Sequence, residues 1–311
     1  MKNQFPNPIM PGADPFIVPY EGKYYLYCTP ENDRPLVKSN AFDTNVGEED
    51  GITVYESNDL IHWENKGYCL KKGDVVGEKW FWAPEVTYYK GKFYMLYVAE
   101  EHIAVATADH PLGPFTQKNK VFLREGKALD GHIFIDDDGR IYLYYVRLGG
   151  GNRIFAARLS ADLMTIEEEY EDCLICAEEP WETVDCKVAE GCFMVKHKGI
   201  YYLSYSCNHT RNPAYAVGYA TATSPLGPFR KYEGNPILSQ NEAFCGLGHH
   251  SFTKLPGEED LLCIYHCHND NPENFKPRMV CINTAGFRPG PDGTDILVIH
   301  GPNPTRSKKK D

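Results

Sequence analysis

The sequence predicts an all-β chain folded as a five-bladed β-propeller in a single domain. Three observations predict it. One hairpin pattern recurs five times along 311 residues. The composition, with 21 Tyr, 15 Phe, 27 Gly and 22 Pro, favours strands joined by tight turns. Helical 3.6-residue periodicity is almost absent.

The repeats are legible in order. Each has a Gly or acidic turn followed by an aromatic and aliphatic run: EGKYYLYCT from Glu21, KGKFYMLYV from Lys90, DGRIYLYYV from Asp138, KGIYYLSYS from Lys198 and GEEDLLCIYHC from Gly257. The turn glycines Gly22, Gly91, Gly139, Gly199 and Gly257 are spaced by 69, 48, 60 and 58 residues. The fifth copy lacks the Tyr pair. A short apolar run precedes each turn (DPFIVPY, APEVTYY, GHIFIDD, GCFMVKH, HSFTKLP), so each unit opens with a β-hairpin. A third strand-like segment follows most copies, as in IAVATADHPLGPF and YAVGYATATSPLGPF, whose Pro-Leu-Gly-Pro endings close the unit. The period near 60 is too long for a β-sandwich, whose strands recur every 8–12 residues. Asp162 to Cys173 is the one stretch that reads as a short helix. The segment Asp295–Ile299 is a candidate strand completing a blade. The repeats run from about residue 14 to residue 287, which leaves no room for a second domain within residues 1–311.

Charge and cysteine content narrow the function. The net charge of −11 disfavours nucleic acid and anionic membranes, which require a positive patch. The basic run Lys308–Lys310 reads as part of a frayed tail, residues 306–311. No apolar stretch is long enough to span a bilayer. No signal-peptide core follows Met1, so a cytoplasmic location is expected. Eleven cysteines without a framework read as reduced thiols. Cys173-x-x-Cys176 has no second pair to make a zinc ribbon. In the run from Cys263 to His268, strand alternation puts Cys263 and Cys267 on one side and His266 and His268 on the other, which argues against a metal cluster. Asn208-His-Thr210 is a sequon without meaning in a cytosolic chain.

In a propeller the first strand of each blade lines the central channel. Those strands begin with polar residues here: Asp14, Glu85, Asp130, Glu190 and the pair His249-His250, each six to nine residues before its turn glycine. A single Asp before Pro or Gly is an ordinary turn cap. Four carboxylates recurring around one axis are costly unless catalysis or a cation uses them.

These motifs, in order ADPF, SNDLIHW, WAPEV, ALDGH before DDDGRIYLYY, AEGCF and GHHSF, resemble glycoside hydrolase family 43 from Asp14 to about Phe287. These are five-bladed propeller hydrolases of arabinan and xylan. The resemblance implies an inverting hydrolase of terminal α-L-arabinofuranosyl or β-D-xylosyl linkages, with an oligosaccharide as partner and no required cofactor. It makes Asp14 the general base, Glu190 the general acid and Asp130 the carboxylate that tunes and orients the acid. It makes His249 an axial residue that in some members holds a hydrated Ca²⁺, and Arg278 a substrate contact. Trp82 is the foremost candidate for stacking on a sugar face, with Trp80, Phe81 and Phe244 behind it; Glu85 joins the same substrate-binding set. Asp136–Asp138 before Gly139 lacks the spacing of a calcium loop and reads as a hairpin turn.

Two other readings stand beside this one: another five-bladed sugar enzyme, either a retaining hydrolase or a mannoside phosphorylase, and a non-catalytic propeller. Retaining relatives usually open with Asn-Asp-Pro and carry Arg-Asp-Pro; this chain has Ala13-Asp14-Pro15 and no Arg-Asp-Pro. A mannoside phosphorylase would need a basic cluster near the axis, and the sequence shows none. A non-catalytic glycan-binding propeller would be expected to have lost one of the three acids.

Overall fold

A strand whose two faces are both apolar needs a neighbour on each side, and the five aromatic runs meet that condition. The computed structural model describes residues 5–31, 51–269 and 275–302, so the basic tail at 306–311 lies outside the described residues. After β1 (Met10–Pro11), blade one consists of β2 (Ala13–Tyr20), β3 (Lys23–Thr29), β4 (Gly51–Ser57) and β5 (Glu64–Lys71). Blade two is β6 (Trp82–Tyr89), β7 (Lys92–Ala99) and β8 (His102–Ala108). Blade three is β9 (Ala128–Ile135), β10 (Ile141–Arg147), β11 (Arg153–Leu159) and β12 (Ile166–Glu169). Blade four is β13 (Ala189–His197), β14 (Ile200–Cys207), β15 (Ala216–Ala222) and β16 (Arg230–Lys231). Blade five is β17 (Gly248–Lys254), β18 (Leu261–Cys267) and β19 (Met279–Arg288). Both β1 and β20 (Ile296–Ile299) pair with β19, so the two ends of the chain complete the last blade together.

All five turn glycines have positive φ. Glu21, Lys90 and Lys198 beside them share it, which makes these three two-residue hairpins type I′. Alternation along the second strand of each blade then builds the cores. In β3, Tyr25 and Tyr27 enter the cluster shared with blade two, while Leu26 and Cys28 enter the one shared with blade five. In β10, Leu143 and Tyr145 face blade two while Tyr142 and Tyr144 face blade four. Five apolar clusters therefore lie between adjacent blades, and the axis is left for polar groups.

The short helix expected between Asp162 and Cys173 is not formed. The Asp162 carboxylate accepts the Met164 N–H, Leu163 takes a left-handed φ, and the chain enters β12. The described residues contain instead one 3-10 turn, Pro180–Glu182.

Candidate active site

Each first strand begins with the same irregularity. The ladder slips near its start, and one residue there has a left-handed φ: Asp14 (49°), Ala83 (45°), Asp130 (51°), Gly191 (53°) and His249 (48°). A left-handed conformation costs a non-glycine residue about 1–2 kcal/mol. Its recurrence at one level of all five blades turns these residues toward the axis. The register corrects one expectation. Ala83, not Glu85, is the counterpart of Asp14, Asp130 and His249, and Glu190 stands one residue before its left-handed Gly191.

Above this level opens a cavity of about 580 Å³, lined by Asp14, Asp130, Glu190, His249 and Arg278, with Trp80 and Trp82 on one wall. The two indoles stack with centroids 5.7 Å apart. Below it lies a void of about 30 Å³, which Glu85 lines. Glu85 is spent on structure: its Oε1 accepts the Ile133 N–H and its Oε2 lies 2.8 Å from His132 Nδ1. Phe244 is also displaced from its expected role, being buried in the core between blades four and five.

Asp14 sits in a nest of donors and cations. Thr29 Oγ1 donates to Oδ2 at 2.6 Å, Arg278 Nη1 to Oδ1 at 3.2 Å, and His249 Nδ1 lies 3.2 Å from Oδ1. Burial works to raise the Asp14 pKa, but Arg278 first and then His249 outweigh it and hold the carboxyl well below its ordinary value. Arg278 is itself clamped by Glu31, which accepts from Nε, Nη2 and the backbone N–H. The guanidinium thus faces the cavity as part of a buried ion-pair network.

Glu190 experiences the opposite field. Burial first, then the charge of Asp130, push it up to about 7, against the lowering pull of His249 and of donors from Tyr215 (2.9 Å) and Asn152 (3.0 Å). Asp130 is raised as well, by burial and by Asp14, while its Oδ2 accepts the Gly191 N–H. Two carboxyls titrating in one low-dielectric space behave as a pair. One wall of the cavity therefore holds an ionised carboxylate, and another holds a carboxyl that keeps its proton near neutrality.

Several contributors were not singled out from the sequence. Tyr215 and Asn152 hold the two oxygens of Glu190. Thr29 and Glu31 follow the YYLYC run without any motif. His266 was weighed only as a metal ligand; strand alternation, which argued against that, also turns it toward Asp14. Basic residues do reach the cavity, since Arg211 and Lys276 line it beside Arg278, although they are scattered in sequence.

The donor set does not fit a protein-ligated calcium. Calcium takes six to eight oxygens, and no three acidic, His or Cys side chains among the described residues converge as metal ligands. The His249 pKa is raised by the neighbouring carboxylates, Asp14 foremost, against the effect of burial and Arg278.

Comparison with known proteins points to one family. The family model described as "Glycosyl hydrolases family 43" matches residues 5–294. The chain is 30% identical to the xylosidase/arabinosidase 43A of Humicola insolens, over 79% of this chain and 85% of that protein. It is 26% identical to the β-D-galactofuranosidase xynD of Aspergillus niger, over 94% of this chain and 84% of that one. Among solved structures, an endo-1,4-β-xylanase from Bacteroides thetaiotaomicron superposes with a TM-score of 0.81 at 37% identity, covering 97% of each chain.

Proposed function

The chain belongs to glycoside hydrolase family 43, and on that premise we propose that it releases terminal α-L-arabinofuranosyl or β-D-xylosyl units from plant-derived oligosaccharides, with inversion at the anomeric carbon. The observation that carries this reading is the opposed bias of two carboxyls in one sugar-sized cavity: Asp14 is held ionised, while Glu190, pushed up to about 7, keeps its proton well past the ordinary carboxylate range. Inverting hydrolysis needs that division of labour, with about 6.5–9.5 Å between the groups to admit a water.

In the reaction Asp14 takes a proton from a water placed on one face of the sugar. The water oxygen bonds to the anomeric carbon as the glycosidic C–O bond breaks, and Glu190 gives its proton to the departing oxygen. Asp130 keeps the Glu190 pKa high by its charge and steadies the strand start through the Gly191 N–H. Each proton transfer contributes roughly 10²–10⁴ in rate. The stacked indoles of Trp80 and Trp82 supply an apolar face for the sugar C–H surface. Every step is carried by side chains of this protein. The names of its relatives, which cover xylosidase, arabinosidase and galactofuranosidase activities, support a pentose or furanose unit at the cleaved end.

The test is turnover of a panel of aryl glycosides by the wild type, Asp14→Ala and Glu190→Gln, with proton NMR of the first-formed sugar. Inverted product and a loss of 10²-fold or more in both variants are expected. Retained configuration, or wild-type rates in Asp14→Ala, would overturn the assignment.

A further inference from the structure

Between the acid and the base stand two rings that no step above uses. Tyr215, just before β15, and His266, in β18, are fully buried. Their rings are nearly parallel, 11° apart, with centroids separated by 5.7 Å. Each ring reaches one catalytic residue. Tyr215 Oη donates to Glu190 Oε1 at 2.9 Å, and the Asp14 backbone N–H donates to His266 Nδ1 at 3.2 Å.

The surroundings leave this pair no freedom. A Cβ on Gly248 would lie 2.3 Å from Tyr215 Cε1, so only bare backbone fits against that ring. The Asp14 N–H occupies His266 Nδ1, which places the ring proton on Nε2, 3.2 Å from Thr210 Oγ1. Burial and the adjacent Arg278 keep His266 neutral, at about 3. The phenol of Tyr215 stays protonated, because burial and Glu190 raise its pKa well above the ordinary value. Its O–H therefore always needs an acceptor, and Glu190 Oε1 supplies it.

We propose that Tyr215 and His266 are positioning residues that form one rigid wall setting the separation of Asp14 and Glu190, and that Tyr215 confines the transferred proton to Glu190 Oε2. With Oε1 occupied as an acceptor, Oε2 is the oxygen that takes up and releases the proton, and Asn152 donates to it at 3.0 Å in the ionised state. The proposal rests on the acid and base assignments above. The groups facing Glu190 are Asp130 from β9, His249 from β17, Cys186 from the loop before β13, Cys207 from β14, Asn152 and Tyr215. Removing the Tyr215 hydroxyl changes only one of them.

Tyr215→Phe keeps the ring and its stack, and His266→Phe keeps the stack while deleting the acceptor for Asp14. For Tyr215→Phe, kcat is expected to fall roughly 10- to 100-fold with KM within about twofold, the scale of a misplaced catalytic group. The alkaline limb of the rate profile should move to higher pH, because the ionised form of Glu190 loses a donor. The loss should be larger on oligosaccharides than on a dinitrophenyl glycoside, whose leaving group needs little protonation. His266→Phe acts on the base side, so its loss should be equal on both substrates. If folded Tyr215→Phe keeps the wild-type alkaline limb and loses rate equally on both substrates, the residue is merely structural and the proposal falls. Glu190→Gln separates the two readings. If it shows the leaving-group dependence and Tyr215→Phe does not, only the positioning role is lost. If neither shows it, the acid assignment itself is wrong.

Discussion

The field around the base can be tested by deleting the Arg278 guanidinium. Nη1 lies 3.2 Å from Asp14 Oδ1, and the two side chains are 7% and 8% exposed. At that separation and an effective dielectric near 20 the attraction is about 5 kcal/mol. At about 1.4 kcal/mol per unit this sets a ceiling of nearly 4 pH units. Carboxylates beside an arginine ordinarily shift by about 1–3 units, and His249 still faces Asp14 after the change, so the lower range is expected here. The direction follows from the role. Asp14 must be ionised to accept a proton, so activity is lost as pH falls through its pKa. In the wild type that loss lies below the ordinary carboxylate range. Raising the pKa moves the acidic limb of kcat/KM up by about 1–3 units. Arg278→Met would also strand the Glu31 side chain, which is 0% exposed, at about 3–5 kcal/mol for an unpaired buried charge. The double variant Arg278→Met/Glu31→Gln avoids that cost. The assay is kcat/KM on an aryl glycoside across pH, with circular dichroism to verify folding. An acidic limb that coincides with the wild type in the folded double variant would refute the electrostatic account of Asp14.

Asp130→Asn removes the charge that, after burial, does most to raise Glu190, so the alkaline limb should move down by about one unit in the same assay. His250 and His266 are buried and neutral with pKa values lowered to about 3 by burial and neighbouring cations. The unfolded chain protonates both below pH ~6.5 while the fold does not, so urea stability should fall by several kcal/mol from pH 7 to pH 4, and a flat profile would contradict it. Gly248→Ala puts a Cβ 2.3 Å from the Tyr215 ring, and a loss of about 1–3 kcal/mol in denaturant unfolding is expected with a kcat decrease. Trp82→Ala should raise KM more than it lowers kcat, since the indole offers binding surface rather than a proton; an unchanged KM would remove it from the sugar site.

Much of the architecture could be read directly. The turn glycines and the runs after them located every inner hairpin, because each turn needs a residue with positive φ and a strand buried on both faces cannot alternate with polar residues. The acids Asp14, Asp130 and Glu190 were recognisable because they stand at one point of a repeat. Glu85 looked equivalent by its distance to Gly91, but that distance does not register the bulge that turns one residue inward, and the bulge selects Ala83. Phe244 looked like a sugar platform only while the loop before β17 had no place; packing takes it into a core. Asp162–Cys173 reads as a short helix, but a carboxylate-capped turn from Asp162 to Met164 leads the chain into the short strand β12 instead.

What the order of residues determined alone was the number of blades, the hairpin within each and the level at which carboxyls meet the axis, since all three depend on local turn chemistry and repetition. What only the tertiary structure decided was which carboxyl stays ionised and which keeps its proton. That depends on Arg278, His249, Tyr215 and Asn152, contributed by different blades and loops, and on the depth of burial they share. Electrostatic energies fall off with distance through space, and chain order alone does not specify those distances.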